Sequence, residues 1–335
     1  MTTAPETAPY SLSAERGTLY ARPLPDGLWE VRVEPRTADT FVERDSCVTD
    51  FPREIVEAFL DHSGVGWICD SIARHCDETY VNRVIQKQIF SYFAPADFSG
   101  KRLLDFGCGS GGSTFGLARM LTTTEIIGVE LSPENIELAQ RVAAFRTLPN
   151  VRVLQSPAPD RLPEDIGNFD FVMMSAVFEH LLPDERKLLM PLIWSKMKPG
   201  AVLFINQTPH RYVPYEHHST GLWFVNYLPD RWTHKLTVAL TRHKSTDWNE
   251  HLRGGIRGGT EREIIQRLSP GHPRAAQILR PSQNGLSSRA DYWLACTSSK
   301  HRAIKRVLHA FFSVTDTLFD TIPALNVDVV IRKKI

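Results

Sequence analysis

The chain lacks a cysteine framework. Its five cysteines, Cys47, Cys69, Cys76, Cys108 and Cys296, are odd in number and no two stand as C-x-x-C. That excludes a zinc ribbon or a disulfide-stapled fold, and it points to a reducing compartment. Charge of one sign is also lacking: 39 Lys and Arg against 38 Asp and Glu leave a net +1. Nothing there asks for nucleic acid as a partner. No apolar run reaches membrane-spanning length, and Met1 to Pro9 has no apolar secretory core. The expected location is the cytoplasm. What the chain does have is a hydrophobic content of 42% over 335 residues, enough for one large α/β domain with insertions or for two small domains.

The most informative stretch is Leu103-Leu104-Asp105-Phe106-Gly107-Cys108-Gly109-Ser110-Gly111-Gly112. It reads as an apolar strand ending in an acid, then a glycine-rich turn, then a helix from Ser113. Glycines allow a tight turn and close approach of a ligand to the backbone, and the helix start adds unpaired N–H groups. Gly107, Gly109 and Gly112 satisfy G-x-G-x-x-G, which alone does not choose a cofactor. Asp105 makes the choice. A carboxylate two residues before the first glycine repels the pyrophosphate of a dinucleotide. It attracts the ammonium and sulfonium of S-adenosylmethionine. Cys108 reads as a small filler inside the loop.

Glu125 to Glu130 reads as a second apolar strand. A carboxylate about 20 positions after the glycines suits a ribose diol. Leu131 is placed to pack on adenine. Ser132 and Pro133 read as helix cap and first helical residue. Two further blocks, Asn168 to Leu181 and Met197 to Ile205, each contain a buried strand. Strands that are apolar throughout, separated by helices, predict a Rossmann-like, doubly wound α/β fold. Its sheet is mostly parallel, of seven strands, with helices on both faces. Ligands in such sheets bind beyond the carboxyl ends of the strands, where Asp105, Glu130, Ser175 and Asn206 fall.

D-F-G-C-G-S-G, the acidic Glu130, F-D-F-V-M-M-S-A-V-F-E-H-L and M-K-P-G-A-V-L-F-I together resemble the class I S-adenosylmethionine-dependent methyltransferases. The nearest likeness is to the ubiquinone/menaquinone group, over residues 80 to about 210. The resemblance implies that Asp105, Gly107 and Gly109 hold the methionine end, Glu130 the ribose and Leu131 the adenine. It implies that Ser175 and Ala176 line the site near the transferred methyl. The chain departs from the family at Pro157, where an acid near the adenine amino group is usual; Asp160 or backbone groups would have to substitute. The run Thr208-Pro209-His210-Arg211 through Glu216, His218, Gly221 and Leu222 looks like a stretch in bacterial methyltransferases of surface-polysaccharide or secondary-metabolite pathways.

The expected organisation is a disordered segment at 1–15, an N-terminal cap region at 16–80 and a cofactor-binding core at 81–206. A substrate-covering insertion at 207–285 and a closing region at 286–335 complete it. In the cap region, helices over Pro52–Cys76 break at Gly64-Val65-Gly66, and a further helix spans Glu78–Phe93. In the closing region, Asp291–Cys296 and Asn326–Ile331 read as strands. Residues 300–322 read as an amphipathic helix with Lys300, Arg302, Lys305 and Arg306 crowding its start. It packs on the sheet or on a partner copy, with peripheral membrane contact as the alternative. A monomer or homodimer is expected.

Methyl transfer is an in-line displacement, and a hydroxyl nucleophile needs a base. His210 and His180 are the candidates. Glu216, His217 and His218 could suggest a metal, but adjacent histidines rarely share one ion, and none is expected. Trp223, Phe224, Tyr227 and Trp232 are expected to pack the insertion onto the domain, with an apolar substrate wall as the alternative. The reading is an enzyme, a methyltransferase acting at oxygen on a small or glycosylated metabolite. The alternatives are a non-catalytic partner or scaffold protein that binds S-adenosylmethionine, and a nicotinamide-dependent oxidoreductase.

Overall fold

The computed structural model describes residues 8–77, 79, 85–297 and 300–334. An antiparallel meander comes first: β1 (Tyr10–Ala14), β2 (Gly17–Pro23), β3 (Trp29–Pro35) and β4 (Ser46–Thr49). Leu19, Ala21, Val31 and Val33 are buried, while Tyr20, Arg22 and Arg32 between them face outward, the period-2 pattern of a sheet with one covered face. Helix α1 (Arg53–Cys76) follows and is broken at Gly64, where φ is +63°. The break falls where the sequence predicts it.

The large sheet holds β5 (Arg102–Phe106), β6 (Glu125–Glu130), β7 (Val151–Gln155), β8 (Phe169–Ser175), β9 (Met197–Pro209), β10 (Ala276–Ile278) and β11 (Asn326–Lys333). Its order is β10-β11-β9-β8-β5-β6-β7. The pairs β5–β6, β5–β8 and β8–β9 are parallel, and β11 runs antiparallel to β9 and β10. This is the expected seven-stranded Rossmann-like sheet. Its helices are α2 (Gly112–Met120), α3 (Pro133–Arg146) and α4 (Pro183–Lys196). Beyond β9 come α5 (Asp230–Leu240), α6 (Trp248–Arg253), α7 (Glu261–Leu268), α8 (Arg289–Cys296) and α9 (Arg302–Phe319).

The chain forms two compact units. The first gathers residues up to 85, 108–122 and 130–155. In it α1 packs on β3, β4, α2 and α3. Phe51 and Phe59 stack at 5.5 Å, and Arg146 grips the Asp50 carboxylate with both terminal nitrogens. His75 is fully buried; its Nε2 lies 3.2 Å from the Ser110 hydroxyl of the glycine loop. Its Nδ1 has no partner among the described residues.

The second unit takes the remaining segments. Phe98 and Phe171 meet at 4.1 Å, with Phe93 and Phe204 beside them. Its other anchor is polar. Arg289, almost wholly buried, donates to Glu261 at 2.8 Å and to Asp316 at 3.1 Å, tying α8 to α7 and α9. Buried guanidinium and carboxylates compensate one another only as a set.

Several expectations need correction. Residues 10–14 are not disordered: Tyr10, Leu12 and Ala14 alternate with serines, and β1 pairs with β2. The small polar residues hide a strand. Residues 1–7, 78 and 80–84, including part of the helix expected at 78–93, lie outside the described residues. Asp291–Cys296 is helical, not a strand. The Ser288 Oγ accepts from the Asp291 N–H and the Asp291 carboxylate accepts from the Ser288 N–H, a capping box that starts α8. Trp223, Phe224, Tyr227 and Trp232 are exposed rather than packed inward. One face of α9 packs through Leu308 and Phe312 on Ala290 and Trp293, while Ile304, Val307, Phe311, Val314 and Leu318 face outward.

Replacing Arg289 with Met strands Glu261 and Asp316, and should cost about 3–5 kcal/mol in chemical denaturation. Burial, with Arg146 second, lowers the pKa of His75 from 6.5 to about 3. The folded state therefore refuses a proton that the unfolded state takes up, so stability is complete above pH 6.5 and is lost as pH falls toward 3. Between about pH 7.5 and 5.5, urea melts of His75→Gln should lose about 1 kcal/mol less than wild type.

Candidate functional site

The sequence folds the glycine loop tightly for steric reasons. Gly107 has φ +74° and its N–H donates to the Val129 carbonyl at 2.7 Å. A Cβ there would stand 2.5 Å from a Val177 methyl. Gly111 has φ +92° at the start of α2, and a Cβ there would meet the Phe115 ring at 2.5 Å. Only glycine fits either place. Asp105, on β5, is buried between Gly128 and Met173 of the neighbouring strands. Cys108 is half-buried, its sulfur 3.6 Å from the Gly109 carbonyl.

Glu130 closes the loop. Its Oε2 accepts from the Gly109 N–H at 3.0 Å; its Oε1 accepts from the N–H groups of Leu131 and Ser132 at 2.8 and 3.0 Å. A carboxylate oxygen has about two acceptor positions. Oε1 is therefore filled, and Oε2 keeps one position for a ligand. Leu131 is exposed. Ser132 caps α3 by accepting from the Asn135 N–H. In the loop with Pro157, the Ser156 hydroxyl donates to the carbonyls of Ala158 and Arg161.

The carboxyl ends of β8 and β9 carry backbone strain. Ala176 has φ +53° and Gln207 φ +61°, conformations unfavourable to residues with a Cβ. Ser175 stands opposite Asn206 in register, and the Ala176 N–H donates to the Asn206 carbonyl at 2.9 Å. Asn206 is buried, and its Nδ2 has no acceptor among the described residues. Strain and an unanswered donor at the strand ends mark a place built to meet something else.

The two histidine candidates differ. His210 is buried; its Nδ1 accepts from the Tyr212 N–H at 3.2 Å, so in the neutral ring Nε2 carries the hydrogen and faces Glu261 at 3.7 Å. Burial lowers its pKa, against the pull of Glu261. Neither nitrogen offers a free lone pair. His180 is the reverse. Its Nδ1 lies 2.6 Å from the Arg253 carbonyl, which can only accept. Nδ1 therefore carries the hydrogen, and Nε2 presents its lone pair on a ring 41% exposed.

Beside it stands Glu179, which composition and spacing had left without a role. It is buried, with Oε2 accepting from the Thr208 hydroxyl at 2.9 Å and Oε1 3.8 Å from His180 Nε2. Burial pushes its carboxyl above the usual range, against His180. His218 joins them: ligand atoms of Glu179, His180 and His218 lie within 4.8 Å of one another. No metal was expected, yet these three can hold a divalent cation, with Arg253 and Thr208 orienting two of them. Glu216 does not take part. Its carboxylate accepts from the N–H groups of His218, Ser219 and Thr220 and shapes its own loop. The F-E-H sequence at a strand-to-helix turn was the available signal for Glu179.

Residues 103–200 match the family described as a methyltransferase domain. A carboxy-S-adenosyl-L-methionine synthase of Alteromonas mediterranea is 32% identical over 106 residues, 31% of this chain and 42% of its own length. The mitochondrial ubiquinone biosynthesis O-methyltransferase of Rattus norvegicus is 32% identical over 120 residues, 34% of each chain. A ubiquinone biosynthesis O-methyltransferase of Brucella anthropi is 37% identical over 113 residues, 33% of this chain and 43% of its own. The chain thus spans less than half the length of these relatives. With the glycine loop, the carboxylate that closes it and the mostly parallel sheet that carries both, the matched region identifies the chain as bearing a class I S-adenosylmethionine-dependent methyltransferase domain.

Proposed function

We propose that this protein moves the methyl group of S-adenosylmethionine to a hydroxyl of a small-molecule acceptor. The observation that carries the reading is the bond from the Gly109 N–H to Glu130. In a dinucleotide site the loop N–H groups face a pyrophosphate. Here that donor already serves a carboxylate, and Asp105 adds a second acid two residues before the loop. Both disfavour a nicotinamide cofactor and suit a cation. Asp105, Gly107 and Gly109 receive the methionine end, Glu130 a ribose hydroxyl through Oε2, and Leu131 the adenine. Cys108 fills the loop, and Ser175 and Ala176 line the space near the methyl.

His180 is the base in this reading, and His210 is set aside. The acceptor oxygen attacks the methyl carbon as the carbon–sulfur bond breaks, and its proton passes to His180 Nε2. The carboxylate of Glu179, 3.8 Å away, steadies the imidazolium that forms. The names of the rat and Brucella relatives support oxygen as the methylated atom. The second reading, favoured by the three clustered ligand groups, is a divalent cation on Glu179, His180 and His218 that polarises the hydroxyl.

Calorimetry with S-adenosylhomocysteine, with NADH as control, tests the cofactor. Wild type should bind the former alone, and Glu130→Ala should weaken it about a hundredfold; unchanged affinity in the variant would refute the site. His180→Gln should leave that affinity intact and lower turnover on a panel of phenolic acceptors by about 10²–10⁴-fold. Loss of wild-type turnover on chelation would instead select the cation.

A further inference from the structure

A cavity of about 1460 Å³ opens in the second unit, walled by α4, α7, the turn after β9 and the segment around Thr321. Six basic side chains line it: Arg186, Arg211, Arg257, Arg262, Arg274 and Lys334. Four acids line it too, but two of them face arginines outside the cavity. Glu261 pairs with Arg289 at 2.8 Å and Asp320 with Arg280 at 3.8 Å. The other two take one arginine each, Glu263 with Arg186 at 3.0 Å and Asp230 with Arg257 at 2.6 Å. Among the described residues, no carboxylate is left within ion-pair distance of Arg211, Arg262 or Arg274.

The arrangement is more than a basic surface. Arg186 and Arg257 are buried, and the Arg257 Nε has no partner among the described residues. Burial lowers the pKa of Arg257, and the charge of Arg211 lowers it further. Burial lowers that of Arg186 too, and Arg211 again adds to it in spite of Glu263. The Arg211 guanidinium thus repels both Arg186 and Arg257 across one space, a cost that an anion bound at Arg211 lowers. The space is far larger than an inorganic anion needs, and Leu181, Leu252, Ile265, Ile278 and Phe319 give it apolar wall.

We propose that this cavity binds an organic molecule with an apolar body through its anionic group, a phosphate or a carboxylate. The site rests on the arginines alone and stands independently of the methyl-transfer reading given above.

The probe is 8-anilinonaphthalene-1-sulfonate, followed by fluorescence, against N-phenyl-1-naphthylamine, which lacks the anionic group. The full-length protein should bind the sulfonate about tenfold or more tightly than the neutral amine. Arg211→Gln should weaken the sulfonate by about the same factor and leave the amine unchanged. Arg267→Gln, outside the cavity, should change neither. Displacement by phenyl phosphate rather than benzoate identifies a phosphate ligand; the opposite order identifies a carboxylate. Equal affinity for the two dyes, full affinity in Arg211→Gln, or displacement by neither anion overturns the proposal. Binding of S-adenosylhomocysteine, measured on the same variants, reports that they are folded. If wild type binds the sulfonate as expected and S-adenosylhomocysteine not at all, methyl transfer fails and the anion site stands.

Discussion

One guanidinium without access to water governs the second unit. Arg289 sits where only opposite charge can compensate it, and Glu261 and Asp316 do so from two other helices. The consequences reach beyond stability. Burial would raise the Glu261 carboxyl, but Arg289 holds it below the usual carboxylate range. Glu261 thus stays charged at the wall of the arginine-lined cavity, where it faces His210 and accepts from the Thr321 hydroxyl and the Ile322 N–H. The end of β9, the start of α7 and the turn before β11 are all held to that single charge. Removing it would leave two acids buried with nothing to balance them.

The carboxylates of this protein follow different rules according to place. Glu130 and Glu216 each gather backbone N–H groups and give shape to a loop. Glu179 does neither; one oxygen rests on Thr208 and the other is buried without a hydrogen-bond partner among the described residues. Oε1 of Glu130 and both oxygens of Glu216 are spent on shaping their loops, whereas an oxygen left unanswered in a dry place is available for chemistry. The same distinction separates His210, with both nitrogens engaged, from His180, with one lone pair open.

Much of this was legible in the chain. The glycine loop, Asp105 and Glu130 are local: strand, turn and helix start are contiguous, so residue type and spacing suffice to read them. The large sheet was legible because its strands are apolar throughout. Three things were not. β1 alternates two serines with Tyr10, Leu12 and Ala14 in a short polar segment, and its strand character depends on β2 opposite it. Asp291–Cys296 has the aromatic and apolar content of a strand, and a two-residue cap at Ser288 decides otherwise. The cluster of Glu179, His180 and His218 joins a strand end to a loop nearly forty residues on, a closure that no local pattern announces. The exposed aromatics at Trp223, Phe224 and Tyr227 show the same limit, since composition tells what a side chain prefers and not which surface the fold leaves for it.

The bond between Gly109 and Glu130 has a consequence for energetics. The loop is held in shape by the same carboxylate that would receive the ribose, so an arriving cofactor exchanges partners on a formed surface instead of ordering a slack one. Little chain entropy then opposes association at this loop, and little apolar area is folded away there with it. The heat capacity change expected for cofactor binding at this loop is accordingly that of a rigid receptor, with little contribution from folding of the polypeptide.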